Sequence, residues 1–403
     1  MKTTDENGSK SVSAEIDNCA KCGSCRSVCP VFAEYGLEKK AARGKIALCQ
    51  AASEGALPLS EGLDEALEDC LLCLACTENC SRGVQTHKIV KAARAQLFRK
   101  LAKKEKYGAP FPAALPEAVP ERSGLRYFLH GGENIPPIRC PSFRKTHAES
   151  FQAAEPGDTV LFFTGCFIDH VFPAVGEAVL KVFTALQCRV VATDSQGCCG
   201  ASAVASGDME TARSLAVENI EAFDGNHPVI VACASGGRML KFEYPEIFGE
   251  GDPRRKKAES LAARTFDISE YLAERIGMQV ISSRIKDRCR QPLTYHDPCQ
   301  LSRGQKIRNA PRTLLEAACG ENLIETRLSN LCCGSGMVYG VSCPETSKKI
   351  LSKKIEDLIR SGAKTVATGC PVCMRQLSKG CRDRGANIEI RHTIEILAES
   401  MGL

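Results

Sequence analysis

Thr159-Val160-Leu161-Phe162-Phe163-Thr164-Gly165-Cys166 decides the fold, because its four successive apolar residues read as a strand buried on both faces that delivers a cysteine where it ends. Downstream, a helix is expected over 177–186, and the strand Arg189-Val190-Val191-Ala192-Thr193 ends near Cys198-Cys199-Gly200. A second helix over 209–223 leads to the strand Pro228-Val229-Ile230-Val231-Ala232, which ends at Cys233. The same order returns from Leu293-Thr294-Tyr295-His296 to Cys299, through Cys332-Cys333-Gly334, to Thr365-Val366-Ala367-Thr368-Gly369-Cys370. Matched cysteines are offset by 133, 134 and 137 residues, a near-constant shift that marks a tandem duplication. Alternating strands and helices imply parallel sheets, whose ligands sit at the carboxyl ends of the strands. The cysteines stand at those ends.

Upstream lies a second duplication. Cys19-Ala20-Lys21-Cys22-Gly23-Ser24-Cys25-Arg26-Ser27-Val28-Cys29-Pro30 is a full C-x2-C-x2-C-x3-C-P string, and Cys70, Cys73, Cys76 and Cys80 repeat its spacing with Ser81 in place of proline. Such strings hold [4Fe-4S] cubanes, with the fourth cysteine of each reaching the other cluster. Cys19, Cys22, Cys25 and Cys80 are therefore expected on one cubane, and Cys70, Cys73, Cys76 and Cys29 on the other. Zinc sites normally pair two C-x2-C hooks, not two four-cysteine strings. Helical patterning follows the second string, where Val84, Ile89, Val90, Ala93 and Leu97 fall near one face. His87 is either a tuning hydrogen bond to a cluster or a solvated or capping residue.

The whole is α/β: a mostly α-helical two-cluster ferredoxin-type domain over 1–104, a proline-rich linker over 105–157, and two tandem cysteine-rich α/β halves with parallel sheets over 158–285 and 286–403. The second half offers five thiols to one sheet edge, Cys299, Cys332, Cys333, Cys370 and Cys373, more than a cubane needs. The first half offers Cys166, Cys198, Cys199 and Cys233, with Gly236 where a fifth would stand. Seven further cysteines, Cys49, Cys140, Cys188, Cys289, Cys319, Cys343 and Cys381, are expected to pack as small apolar groups, with Cys343 the nearest to a predicted site.

Twenty-four cysteines in 403 residues would suit a disulfide scaffold only in a small secreted chain, and this one opens on the polar run Met1-Lys2-Thr3-Thr4-Asp5-Glu6. A reducing, cytoplasmic setting with thiolate ligands is expected. A net charge of +5 without a clustered basic face gives no reason to expect nucleic acid. The apolar runs are far shorter than the ~20 residues of a membrane span, so any membrane contact would come through partners.

In the order of its strings, linker and Cys-Cys-Gly halves, the chain resembles the glycolate oxidase iron-sulfur subunit family. That family is related to iron-sulfur subunits of D-lactate dehydrogenase and anaerobic glycerol-3-phosphate dehydrogenase and to heterodisulfide reductases. Matching signals are Ala42-Arg43-Gly44-Lys45-Ile46, Gly83-Val84 with His87, Leu331-Cys332-Cys333-Gly334-Ser335 and Arg391-His392-Thr393-Ile394. The resemblance implies a noncubane [4Fe-4S] cluster in the complete second half and leaves a further cluster in the first half open. It implies a separate FAD-linked flavoprotein that oxidises glycolate or D-lactate and hands electrons through this chain to a quinone or another carrier. No G-x-G-x-x-G follows a strand here, which agrees with a flavin held elsewhere, and no residue of this chain is expected to be catalytic. The alternative is a catalytic heterodisulfide or disulfide reductase, whose second-half centre would itself act on a sulfur substrate.

Overall fold

Short apolar strands, covered on both faces by helices, form two parallel four-stranded sheets in this computed structural model, which describes residues 12–102, 125, 138–147 and 158–403. The first sheet has the order β2-β1-β3-β4, from β1 (Thr159–Phe163), β2 (Arg189–Val191), β3 (Val229–Val231) and β4 (Thr265–Asp267). The second repeats it as β6-β5-β7-β8, from β5 (Leu293–Tyr295), β6 (Leu323–Ile324), β7 (Thr365–Thr368) and β8 (Glu389–His392). In each sheet the chain leaves its first strand in one direction and returns on the other side, so a crevice opens between β1 and β3 and between β5 and β7. Cys166 and Cys233 follow the first pair, and Cys299 and Cys370 the second.

The α/β class and the doubling are as the sequence implies. The fourth strand of each sheet is not, because β4 (Thr-Phe-Asp) and β8 (Glu-Ile-Arg-His) carry no apolar run. They are strands through tertiary pairing, Val229 with Thr265 and Thr365 with Glu389 at their starts. Most of the proline-rich stretch expected over 105–157 lies outside the described residues. Within it, Phe143–Thr146 is a short helix whose buried Phe143 joins the first half's core.

The two halves interlock. Ile394, Leu397, Ala398 and Met401, at the end of the second half, pack into one core with Val175, Val179, Val182 and Phe183 of the first. Phe167, Val171 and Ala234 join a second-half core with Leu301, Leu351, Ile355 and Leu377. A backbone bond from Ala234 N–H to Gly369 O (3.1 Å) ties the two cysteine-bearing crevices directly. No helix among the described residues is long and apolar enough to cross a membrane.

Ahead of the sheets, the helices Val12–Asp17, Ala42–Ser53, Glu61–Glu68 and Thr86–Lys100 enclose Ile16, Ile46, Leu63, Leu67, Val84, Ile89, Val90 and Leu97. Arg94 crosses from this core to the first half. Its buried guanidinium donates to Leu67 O (2.7 Å), Glu68 O (3.0 Å), Cys70 O (2.8 Å) and Ala205 O (2.7 Å). Two of those carbonyls end the helix Glu61–Glu68 and a third is that of Cys70 itself, so one side chain fixes the start of the second cysteine string against the sheet domain. Arg94→Met should leave these carbonyls unpaired and lower stability by about 3 kcal/mol or more in denaturant titrations of the anaerobic protein. A loss below about 1 kcal/mol would show that water replaces the guanidinium and that the docking does not depend on it.

Candidate metal centres

Both N-terminal strings fold through the same pair of left-handed turns. Lys21 (φ 56°) and Gly23 (φ 87°) flank Cys22, and Leu72 (φ 51°) and Leu74 (φ 61°) flank Cys73. A C-x2-C-x2-C spacing aims successive thiols at one point only if the backbone reverses between them, and αL residues supply that reversal. Leu74 holds a conformation that suits glycine better, at a cost of roughly 1 kcal/mol.

The fourth cysteines exchange places. Cys29 lines one cavity with Cys70, Cys73 and Cys76, beside Thr86 and His87. Cys80 is held at the first string instead: Asn79 Nδ2 donates to Ser24 O (2.9 Å) and Arg82 Nε to Asn18 O (2.8 Å). Burial pushes the Cys29 thiol up to about 11, and it raises Cys76 too. Cys22 is exposed and lowered by its hydrogen bond to Ser24 (3.4 Å). The first string thus faces solvent and the second faces the protein.

In the sheet domains, Cys166, Cys198, Cys199 and Cys233 line a single cavity with Phe163 and Gly236, and the Cys166 and Cys198 sulfurs lie 3.8 Å apart. Hydrogen bonds to Cys198, together with burial, push Cys166 and Cys199 up. In the second half Cys333 and Cys373 are 3.5 Å apart, and Cys332 hydrogen-bonds Cys299 and Cys333. Gly200 (φ 82°) and Gly334 (φ 87°) turn the chain out of each cysteine pair, and a Cβ on Gly334 would meet Ser347 O at 2.9 Å.

Two contacts join sets that the sequence shows only as separate. Cys233 and Cys370, from opposite halves, hydrogen-bond each other, which raises Cys233 and lowers Cys370. Cys73 is lowered by its hydrogen bond with Cys332 and, despite burial, by Arg303. Arg303 donates to Asn330 O (2.7 Å) and pairs with Glu78 (3.2 Å) while standing beside Cys73, Cys299 and Cys332. Nothing in the local sequence distinguishes Arg303 from a surface arginine.

His87 is neither solvated nor exposed. It is 6% exposed and shares the cavity of Cys29, Cys70, Cys73 and Cys76. Arg238 can only donate, so at 3.1 Å the His87 Nε2 accepts and the ring proton sits on Nδ1, which has no hydrogen-bond partner among the described residues. That proton suits a hydrogen bond to sulfur in the cavity. Another residue with this character, His296, stands between β5 and Cys299, and no motif in the sequence singles it out.

The seven spare cysteines are not all packed thiols. Cys49, Cys188 and Cys381 are buried, but Cys140 is exposed. Cys289 and Cys319 form a disulfide, because the Cys289 N–H bonds Ala318 O (3.0 Å) and lays that segment along the end of the helix Asn309–Cys319. Cys343 packs with Cys29, Cys73, Cys299 and Cys332 between the cluster domain and the second half.

Family models agree with this architecture: a 4Fe-4S dicluster domain matches residues 15–84, and a cysteine-rich domain matches 160–241 and again 293–378. A probable glycolate oxidase iron-sulfur subunit of Bacillus subtilis is 27% identical, covering 96% of this chain and 94% of the relative. One subunit of the dihydromethanophenazine:CoB–CoM heterodisulfide reductase of Methanosarcina barkeri is 27% identical over 96% of this chain and 95% of its own length. Lactate utilization protein A of Oceanobacillus iheyensis is 30% identical, covering 59% of this chain and 96% of the relative. The chain belongs to the family of iron-sulfur proteins with cysteine-rich domains, carries a 4Fe-4S dicluster domain ahead of two of them, and is similar over nearly its whole length to the glycolate oxidase iron-sulfur subunit. It is an oxidoreductase-type iron-sulfur protein that binds [4Fe-4S] clusters.

The charges around His87 set a pH test. Burial alone would raise Glu243, but Lys91 and Arg238 (3.1 Å) lower it from 4.5 to about 2. A carboxylate depressed in the folded state stabilises the protein above its unfolded value, and the contribution disappears as pH falls towards the folded value. Glu243→Gln should therefore be less stable than the parent at pH 7 by on the order of 2–3 kcal/mol, with the gap closing between about pH 4.5 and 2. Urea titrations across that range read it, and a gap that stays constant with pH would remove Glu243 as the source.

Proposed function

We propose that this chain is the iron-sulfur electron-transfer subunit of an FAD-linked 2-hydroxy-acid dehydrogenase complex, acting on glycolate or D-lactate and passing electrons from a partner flavoprotein to a quinone or another carrier. The observation that carries the reading is the contact between Cys73 and Cys332, which sets the second string's cavity against the thiols of the second half. Cys22 lies exposed at one end of the cysteine sets and Cys233 beside Cys370 at the other, which supports a path from the surface into the shared interior. Iron-sulfur centres exchange single electrons, which is what a two-electron flavin must unload into.

We assign Cys19, Cys22, Cys25 and Cys80 to one cubane and Cys29, Cys70, Cys73 and Cys76 to the other, as their pairing in space supports. Cys299, Cys332, Cys333, Cys370 and Cys373 would hold a noncubane [4Fe-4S] centre, and Cys166, Cys198, Cys199 and Cys233 offer a fourth, weaker site. The protein's own part is to enclose these thiols: Cys332, Cys333, Cys370 and Cys373 are each at most 5% exposed. Such burial suits electron transfer, which needs proximity, better than attack on a disulfide substrate, which needs contact. The heterodisulfide reductase reading rests on the Methanosarcina relative and on the five-thiol set. A cytoplasmic location, with membrane contact only through partners, follows from the relay role.

Anaerobic iron analysis should give about 12 irons per chain, or about 16 if the first half is also filled. Cys29→Ser should perturb the cubane of Cys70, Cys73 and Cys76 and leave that of Cys19, Cys22, Cys25 and Cys80 intact in electron paramagnetic resonance spectra. The flavin-free chain should not oxidise glycolate or D-lactate, and adding the flavoprotein with substrate should bleach its clusters. Turnover of a heterodisulfide by the chain alone, given a simple electron donor, would replace the relay with the reductase.

A further inference from the structure

The two halves differ at two positions that touch. Counting back by the offset that relates Cys166 to Cys299, the residue matching His296 is Phe163; by the offset that relates Cys233 to Cys370, the residue matching Cys373 is Gly236. In the first half these two are neighbours: a Cβ on Gly236 would lie 3.5 Å from the Phe163 ring and 3.6 Å from the Cys233 Cβ. In the second half their counterparts meet again, and with Cys333 they place one ring nitrogen and two sulfurs all within 4.8 Å of one another. The first half has therefore exchanged a nitrogen and a sulfur donor for a phenyl ring and a hydrogen atom at the same spot.

His296 is completely buried, no nitrogen or oxygen among the described residues satisfies its ring nitrogens, and its one hydrogen-bonding neighbour is the Cys333 thiol. A thiol is a weak partner and can serve only one of the two nitrogens, and a buried ring nitrogen left unpaired costs on the order of 1–3 kcal/mol and is rare unless a bound group satisfies it. Its position is firmly set: the His296 N–H bonds Ala367 O (2.9 Å), and the neighbouring Asp297 is gripped by Arg312 through two bonds of 2.8 and 2.7 Å. Two thiolates and an imidazole converging within 4.8 Å can close on a tetrahedral metal, whose bonds of about 2.0–2.3 Å put ligand atoms roughly 3.3–3.8 Å apart. Cys333 and Cys373 already have that separation.

We propose that His296 supplies a nitrogen ligand to an iron of the second-half centre, next to Cys333 and Cys373, so that the two halves hold chemically different sites. The proposal rests on that half holding an iron-sulfur centre and adds the identity of one of its ligands. A neutral imidazole brings no negative charge, and histidine ligands raise the potential of iron-sulfur centres relative to thiolates. The second-half centre is then the more oxidising of the two sheet-domain sites.

The test uses the full chain, purified anaerobically and labelled with 15N-histidine, and reads the nitrogen couplings of the second-half centre by pulsed electron paramagnetic resonance. A strong coupling typical of directly bound imidazole is expected, changing with the isotope and vanishing in His296→Gln while the two cubane signals persist. His296→Cys should keep the iron content and move that centre to lower potential. His296→Phe copies the residue that the first half already accommodates, and it should retain the fold while losing the coupling. A second-half signal with only weak coupling, or with a strong coupling that survives in His296→Gln, overturns the ligand. About eight irons per chain with no second-half signal in the parent overturns the centre and the ligand together.

Discussion

A thiolate is costly to bury unless a cation shares its site, and this chain places Cys73, Cys198, Cys332, Cys333, Cys370 and Cys373 in its interior. Left to themselves these groups hold protons between them. Cys332 and Cys373 are driven up as Cys333 is drawn down, and Cys233 rises as Cys370 falls. An iron centre held by these thiols, as proposed above, would resolve the conflict by taking the place of the shared protons. The sheets, the crevices at their strand ends and the helices around the N-terminal strings are arranged so that thiols converge where water is excluded.

The interlocking of the halves follows from that need. A single four-stranded unit would leave the cysteine-bearing ends of its strands facing solvent. Crossing the last helix of the second half onto the first, and Phe167, Val171 and Ala234 of the first onto the second, closes both crevices against each other. The cluster domain then caps the assembly on the side of Cys73, with Arg94, Arg303 and the His87–Arg238–Glu243 group as polar links across the junction. Each arginine satisfies backbone carbonyls at the junction, so charge is buried there only where hydrogen bonds absorb it.

Duplication supplied two copies of one frame, and the copies have diverged where chemistry is decided. Phe163 and Gly236 sit where His296 and Cys373 sit, while the strands, the glycines after the cysteine pairs and the sheet order are unchanged. A frame whose stability comes from shared apolar cores can lose or gain a donor at one end without unfolding, and this lets one fold hold two different sites.

By itself, the sequence determined the class of fold and the chemistry of the donors. Apolar runs of strand length set the parallel sheets, the constant offset showed the doubling, and the C-x2-C-x2-C-x3-C spacing pointed to cubanes, because these are local properties of residue type and distance along the chain. It could not reveal the edge strands β4 and β8, whose polar sequences pair only because a neighbour offers its backbone. Nor could it reveal the disulfide of Cys289 with Cys319, or the burial of His87 and His296, since each depends on what packs opposite. Above all, the contacts of Cys73 with Cys332 and of Cys233 with Cys370 join residues 259 and 137 apart in the chain. Only the packing of three units decides such contacts, because no period or spacing in a sequence records which surfaces will bury one another.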